Sequence, residues 1–113
     1  MSVFRMEPLV IPNAATVSQA IGGNLFDFLR SLSIHAPASL AGVTKIEVAD
    51  TEPDVAVAGD FRDLQSAGAD ITIPADSTIV LENISYRSLR LSTTVAPGAG
   101  GETYDVTAKD ATI

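Results

Sequence analysis

Apolar side chains recur at every second residue through much of the later two thirds of the chain. In VTKIEVAD, the side chains of Thr44, Ile46 and Val48 share one face of an extended backbone, and Lys45 and Glu47 share the other. YRSLRLST and ETYDVTAK alternate in the same way, which is the pattern of a half-buried strand. Gly, Pro, Asn and Asp residues separate these runs at short intervals, as in a β-sandwich or a small barrel. The sequence therefore predicts an all-β fold with about eight strands.

The stretch GGNLFDFLRSLSIHAPASLAG, residues 22–42, fits two different periods. Helical spacing relates Leu25, Phe28, Leu29 and Leu32, whereas strand spacing relates Leu32, Ile34 and Ala36. A helix here would give an α+β fold, but a strand continues the spacing of its neighbours. We therefore predict a turn or a single helical turn over residues 24–29 and a strand over Ser31–Ala36.

Length and charge limit the partners that the chain can have. Its 113 residues fit a single domain. Seven Lys and Arg residues against 14 Asp and Glu give a net charge of -7, so no nucleic-acid partner is expected. No run of about 18 apolar residues occurs, so no membrane span is expected. The first residues lack a basic segment followed by an apolar one, so no export signal is expected either.

Alternating carboxylates form the densest polar stretch, ADTEPDVAVAGDFRD. Asp50, Glu52 and Asp54 are weak candidates for a calcium site, since Ca²⁺ takes several oxygen ligands. The EF-hand pattern fails because Val55 stands where its sharp turn needs glycine and Phe61 stands where its bidentate glutamate belongs. A solvated acidic loop is the simpler interpretation, and no metal is expected.

No other motif indicates catalysis. His35 is the single histidine, and no nearby hydroxyl stands out as a nucleophile that it could activate. The glycine-rich stretch at residues 97–103 lacks the Lys of a phosphate-binding loop and is predicted to be a hairpin connection. The sequence has no cysteine, which excludes disulfides and thiolate metal sites. The aromatic residues are predicted to fill the core; they include Phe26, Phe28, Phe61, Tyr86 and Tyr104.

Several short motifs follow one another between Ala14 and Ala108. A polar first strand, ATVSQAIGGN, precedes an apolar strand that ends at a proline, in SLSIHAPASLAGVTKIEVAD. A Gly-Asp-x-x-x-Leu element at residues 59–64 then leads into ADITIPADSTIVLE. A Tyr-x-x-Leu-Arg-Leu strand, Tyr86–Leu91, and a final strand after a loop of small residues complete the order. In this order of motifs the chain resembles a family of small structural proteins encoded by tailed bacteriophages.

The resemblance implies a jelly-roll sandwich that serves as a capsid decoration (cement) protein, a head spike, or a tail or adaptor component. We expect decoration, in which the protein docks on the major capsid protein and on neighbouring copies of itself. Many weak contacts, multiplied by symmetry, would then stabilise the shell. No enzyme activity, cofactor or small-molecule ligand is expected, and the expected location is the virion, assembled in the host cytoplasm.

Residues 1–12, MSVFRMEPLVIP, are predicted to form an extended N-terminal arm ahead of a sandwich domain at residues 13–113. Such an arm can add a strand to the sheet edge of a neighbouring subunit. The alternative is that this segment is the first strand of its own sandwich, since a sheet edge must be covered one way or the other. The predicted partner-binding residues are Val3, Phe4, Met6, Leu9, Val10 and Ile11.

Two other functions fit the same fold. The acidic loop between Asp50 and Asp63 would hold Ca²⁺ and a sugar if the protein were a calcium-dependent carbohydrate- or receptor-binding module. Carboxylates such as Asp60 and Asp63 would act as acid and base if it were a small hydrolase. Fold alone does not separate these functions from decoration.

Overall fold

The structure, a computed structural model, describes residues 3–82 and 84–110. Strands dominate it, and two 3-10 helices lie at Gly23–Phe28 and Ala58–Asp60. No helix among the described residues is long and apolar enough to cross a membrane. The strands are β1 (Val3–Arg5), β2 (Leu9–Ile11), β3 (Ile21–Gly22), β4 (Leu29–His35), β5 (Thr44–Ala49), β6 (Arg62–Asp63), β7 (Gln65–Ser66), β8 (Ala69–Asp70), β9 (Thr72–Ile73), β10 (Thr78–Glu82), β11 (Ser88–Thr93) and β12 (Glu102–Asp110).

Two antiparallel sheets form the body of the molecule. In the first sheet, β1 and β2 lie one after the other along one edge of β12, which is followed by β4 and β10. In the second sheet the order is β3, β11 and β5, and β6 and β9 share the far edge of β5. A small hairpin, β7 with β8, extends from that edge. The all-β prediction is confirmed, and each sheet has four strand positions.

The glycine-rich loop at residues 94–101 does not close a hairpin, contrary to the sequence-based prediction. It carries the chain from β11 in the second sheet to β12 in the first. The two strands do not pair with each other because each already has neighbours on both sides, β3 and β5 for β11, and β4 and the N-terminal strands for β12.

One apolar core is shared by the two sheets. Leu32, Ile34 and Val106 of the first sheet and Ile46 and Leu91 of the second are all fully buried in the same cluster. The predicted inward faces of β5, β11 and β12 are therefore confirmed. Burial of side chains of this size stabilises the fold by about 1.5–3 kcal/mol for each.

The ambiguous stretch at residues 22–36 contains both kinds of structure. The 3-10 helix ends at Phe28 and β4 begins at Leu29, which confirms the predicted helical turn followed by a strand. A 3-10 helix has three residues per turn, so residues three apart eclipse each other. Phe26 and Leu29 are accordingly buried while Leu25 and Phe28 point outward. The prediction that Phe28 fills the core was wrong for this reason.

The N-terminal segment does not behave as a free arm over its described residues. β1 pairs with residues 107–109 and β2 with residues 102–104 of the same chain. Leu9 and Ile11 are fully buried, and Phe4 and Met6 pack against the core. The segment thus follows the alternative interpretation, in which it is the first strand of its own sheet. The prediction that Leu9 and Ile11 bind a partner does not fit this structure. Both side chains are buried in the core of their own chain and could contact a partner only by leaving it.

Two buried phenols differ in their surroundings. The hydroxyl of Tyr104 contacts the Thr44 hydroxyl at 2.7 Å and donates to the Glu102 carboxylate at 3.0 Å. The hydroxyl of Tyr86 is buried without a hydrogen-bond partner among the described residues, and its ring lies edge-on to Phe26. Burial raises the pKa of Tyr86 to about 12, and burial, followed by the effect of Glu102, raises the pKa of Tyr104 to about 12.

The raised pKa values of Tyr86 and Tyr104 predict a loss of stability at high pH. The unfolded chain releases phenolic protons near pH 10, whereas the folded chain holds them until about pH 12. The buried protonated phenols should therefore contribute their full stabilisation below pH 10. This part of the free energy of unfolding should be lost as the pH rises from 10 to 12. Urea unfolding from pH 8 to pH 12 measures this, and the Tyr86→Phe variant should fall less steeply. If the free energy of unfolding fell equally steeply with pH in the two proteins, Tyr86 would not be a source of the loss.

Candidate docking surfaces

The loops between strands gather at two opposite ends of the two-sheet body. We call one the Arg87 end; it consists of residues 22–28, 50–61 and 84–87. We call the other the Glu102 end; it contains residues 12–15, 36–43, 74–77 and 94–101, which are joined by backbone hydrogen bonds such as that from Ala14 to Pro97.

Arg87 fastens three loops together at its end. Its guanidinium donates to the Asp27 carboxylate at 2.6 Å, and to Asn24 and Glu52 at 3.0 Å each. The hydrogen-bonded Glu52 carboxylate, with a smaller contribution from Asp27, raises the pKa of Arg87. The Arg87 backbone also accepts a hydrogen bond from Gly23 at 2.7 Å. A planar guanidinium with several fixed acceptors holds these loops in one arrangement.

Apolar side chains are displayed on these fastened loops. Phe28 is 63% exposed and Val57 is 64% exposed. Half of the exposed large apolar side chains among the described residues belong to the Arg87 end; they are Leu25, Phe28, Val55 and Val57. Two more, Val43 and Val95, lie at the Glu102 end. Exposed apolar side chains on a fixed scaffold are typical of a protein interaction site.

The N-terminal edge of the first sheet is interrupted between β1 and β2. Residues 6–8 of this edge lie opposite residues 105–106 of β12, so the edge contains one extra residue. This is a β-bulge, a position where Pro8 is tolerated because proline cannot donate to the ladder. The bulge divides the edge into a β1 half and a β2 half, which differ in whether a side chain covers their outward backbone groups.

A side chain from the irregular segment that precedes β3 covers the β2 half. The Gln19 amide oxygen accepts the outward N–H of Val10 at 2.9 Å, and its nitrogen donates to the Pro8 carbonyl at 2.7 Å. The carboxamide thus takes the place that the backbone of a further strand would occupy. Covering of this kind prevents pairing with other chains, so we expect no strand addition at β2.

The β1 half has no such cover among the described residues. A groove of about 460 Å³ separates β1 from β3, and its lining is largely apolar, with Phe4, Met6, Ile21 and Leu25 among its members. Val3, at the start of β1, is 64% exposed. Of the predicted partner-binding residues, Leu9 and Ile11 of β2 belong to the core. The others keep part of their surface accessible; they are Val3, Phe4, Met6 and Val10.

The candidate calcium ligands do not converge on one point. The Asp50 carboxylate faces the Arg62 guanidinium at 3.4 Å, and Glu52 is taken by Arg87. Asp54 lies exposed on the same loop. Among residues 3–82 and 84–110, no group of three or more potential metal ligands comes together.

Among the residues considered for catalysis, His35 and Asp60 have local hydrogen-bond partners. His35 contacts the Thr78 hydroxyl at 2.6 Å across β4 and β10, and Asp76 lies 3.6 Å from its other ring nitrogen. The Asp60 carboxylate accepts the backbone N–H of Val57 at 3.0 Å, which caps the second 3-10 helix. Asp63 lies exposed in β6, opposite Glu47 of β5.

Sequence reasoning did not single out Gln19 or Arg87, the two residues that organise these surfaces. Both lie in irregular segments just before strands, Gln19 before β3 and Arg87 before β11. Side chains in such segments follow no period, so neither residue has a local signal. The bulge, by contrast, has a signal in the sequence. Inward apolar residues fall on even numbers at Phe4 and Met6 and on odd numbers at Leu9 and Ile11, and such a change of parity requires one extra residue between them.

Comparison of the chain with protein-family models, with curated proteins and with solved structures finds no match.

Proposed function

We propose that the two sheets form a jelly roll. A jelly roll is a long antiparallel hairpin of eight strands wound into two sheets, so its first strand pairs with its eighth, its second with its seventh, and so on inward. Each of these pairings has a counterpart here: β1 and β2 with β12, β3 with β11, β4 with β10, and β5 with β6 and β9. The complete set supports this topology over other sandwiches.

On this fold we propose a virion structural protein of a tailed bacteriophage, a capsid decoration protein that docks on the major capsid protein and stabilises the shell. Jelly rolls serve in viral capsids and also in lectins, so the fold alone does not decide. The observation that carries the proposal is the display of Phe28, Val55 and Val57 on loops fastened by Arg87. The order of motifs along the sequence supports the same function.

The proposed mechanism is mechanical. Loops already fixed by Arg87 lose little conformational freedom when they dock, so more of the contact energy is left for binding. A shell offers the same docking position many times, and a copy that contacts two capsid subunits raises the free energy needed to separate them. No catalytic step and no cofactor is involved.

With a net charge of -7, the protein is proposed to bind protein surfaces rather than nucleic acid or anionic lipid. Its partners are the major capsid protein and neighbouring copies of itself. Its place is the virion, on shells assembled in the host cytoplasm.

Charged substitutions at the Arg87 end are expected to prevent docking. Phe28→Asp and Val57→Asp place a carboxylate in the centre of the proposed contact, where an unpaired charge is costly, so affinity should fall about tenfold or more. The measurement is co-sedimentation of the purified protein with phage shells produced without it.

Matched controls come from the opposite end. Val43 and Val95 are each 51% exposed, so Val43→Asp and Val95→Asp add the same charge without disturbing the core and should bind shells as the unmodified protein does. Loss of docking with these variants, and not with Phe28→Asp and Val57→Asp, would move the contact to the Glu102 end.

A receptor- or carbohydrate-binding module is the second candidate, because of a different groove. A groove of about 650 Å³ lies between β10 and the edge formed by β6 and β7, and the polar side chains that line it include Arg62, Gln65 and Glu82. Tyr86, whose buried hydroxyl has no partner among the described residues, lies along this groove. Binding to a glycan array that is lost in Tyr86→Phe would favour this candidate over decoration.

A further inference from the structure

The open half of the N-terminal edge has its backbone groups set for one more strand. Met6 donates its N–H to Val106 of β12 at 2.9 Å, and hydrogen-bonded and non-bonded residue pairs alternate along an antiparallel ladder. Phe4 therefore also bonds to β12, while the N–H and C=O groups of Val3 and Arg5 point away from it. These outward groups have the spacing that an added antiparallel strand requires.

We propose that β1 of a second copy of this chain occupies this edge, so that two copies pair antiparallel about a two-fold axis at Phe4. In that arrangement Val3 of each copy forms a hydrogen-bonded pair with Arg5 of the other. The outward groups at these two positions are symmetric about Phe4, so the open segment is complementary to itself. A two-fold contact requires this self-complementarity.

Side chains on both faces of the sheet favour the same register. On the outer face, the aliphatic part of Arg5 would cover the exposed Val3 of the other copy. On the inner face, the two Phe4 rings would form a cross-strand aromatic pair. A register centred on Arg5 would instead place two guanidinium groups directly opposite each other, which is unfavourable.

The neighbouring groove gives the pairing an apolar contribution. Phe4, Met6, Ile21 and Leu25 line the groove beside β1, and the two-fold axis would bring the grooves of both copies together. Apolar surface that faces solvent in one copy would thereby be covered by the other. The Gln19 amide stops the pairing from spreading to β2, because it already occupies the outward groups of Val10 and Pro8.

Removal of one backbone donor tests the pairing on the isolated protein. Sedimentation velocity over increasing concentration should show a reversible dimer. Arg5→Pro deletes the outward N–H twice in each dimer but leaves the bonds to β12 intact, so dissociation should become about tenfold easier or more. Arg5→Ala keeps the N–H and should weaken the dimer less. A monomer at every concentration, or equal effects of the two variants, would overturn the proposal.

Disulfide trapping tests the register. The sequence contains no cysteine, so single substitutions report on chosen positions. A mixture of Val3→Cys and Arg5→Cys chains should oxidise to the mixed dimer, because these positions face each other. Each variant alone should cross-link poorly, since like positions would lie about 8 Å apart, beyond disulfide reach. Equal trapping of like positions would overturn the register centred on Phe4.

The biological purpose of the pairing, a bridge between two docking positions, rests on the proposed decoration function. The two proposals fail separately, however. Dimerisation is measured without any shell, whereas docking through the Arg87 end is measured with charged variants outside β1. A protein that dimerises but does not bind shells would show that the decoration proposal is wrong. A protein that binds shells but stays monomeric would show that the pairing proposal is wrong.

Discussion

Replacing Gly22 by alanine is expected to lower the free energy of unfolding by about 2–6 kcal/mol. Gly22 has φ of 139°, a backbone conformation that L side chains rarely adopt, and a Cβ atom there would overlap the carbonyl oxygen of Arg87. The strain and the overlap each cost about 1–3 kcal/mol. Because the same carbonyl accepts the N–H of Gly23, relief of the overlap would separate the 3-10 helix from β11. Urea unfolding of the purified variant measures the loss.

Gly59→Ala is the matched control for this prediction. An added Cβ at Gly59 meets nothing within 4 Å, and its backbone φ is not positive. The free energy of unfolding should change by about 1 kcal/mol or less. Equal losses in the two variants would show that the contact at Arg87 is not what makes residue 22 sensitive.

Replacing Tyr104 by phenylalanine is expected to cost about 2–3 kcal/mol of stability. The lost hydroxyl leaves both the Thr44 hydroxyl and one Glu102 oxygen buried without that partner. Buried groups that lose a partner are costly, and more so when one of them carries charge. The other Glu102 oxygen keeps its bond from the Ala41 N–H at 2.7 Å, so the Glu102 end should loosen without unfolding.

Tyr86→Phe makes the same chemical change where no partner is lost. The Tyr86 hydroxyl is buried and unpaired among the described residues, so its removal should leave the stability unchanged or raise it by about 1 kcal/mol. Thermal and urea unfolding of both variants would give the comparison. A larger loss for Tyr86→Phe than for Tyr104→Phe would contradict the hydrogen bonding described for these phenols.

Strand faces could be predicted because the period that reveals them is local. The inward positions of β5, β11 and β12 follow directly from alternation in the sequence. Pairing between strands is not local, since β1 and β12 lie at opposite ends of the chain. The hairpin predicted at residues 97–103 is wrong for this reason, since glycines indicate a turn equally well in a crossing between sheets.

The candidate docking surfaces could be predicted less well from the sequence. Apolar residues near the N-terminus were expected to serve a partner, but burial of Leu9 and Ile11 divides them between the core and the open β1 edge. Phe28 shows the opposite error, since the helical turn that buries Phe26 and Leu29 places Phe28 outside. Which end displays apolar side chains depends on loops that are far apart in sequence and meet at Arg87.

The proposed decoration of a phage shell is tested most directly by the copy number of the protein in the particle. Quantitative mass spectrometry of density-purified particles would compare this polypeptide with the major capsid protein. Decoration predicts about one copy for each capsid subunit, or one for each small symmetric cluster of subunits. A few copies in each particle would indicate a spike, portal or tail component instead, and complete absence from the particle would contradict a virion function.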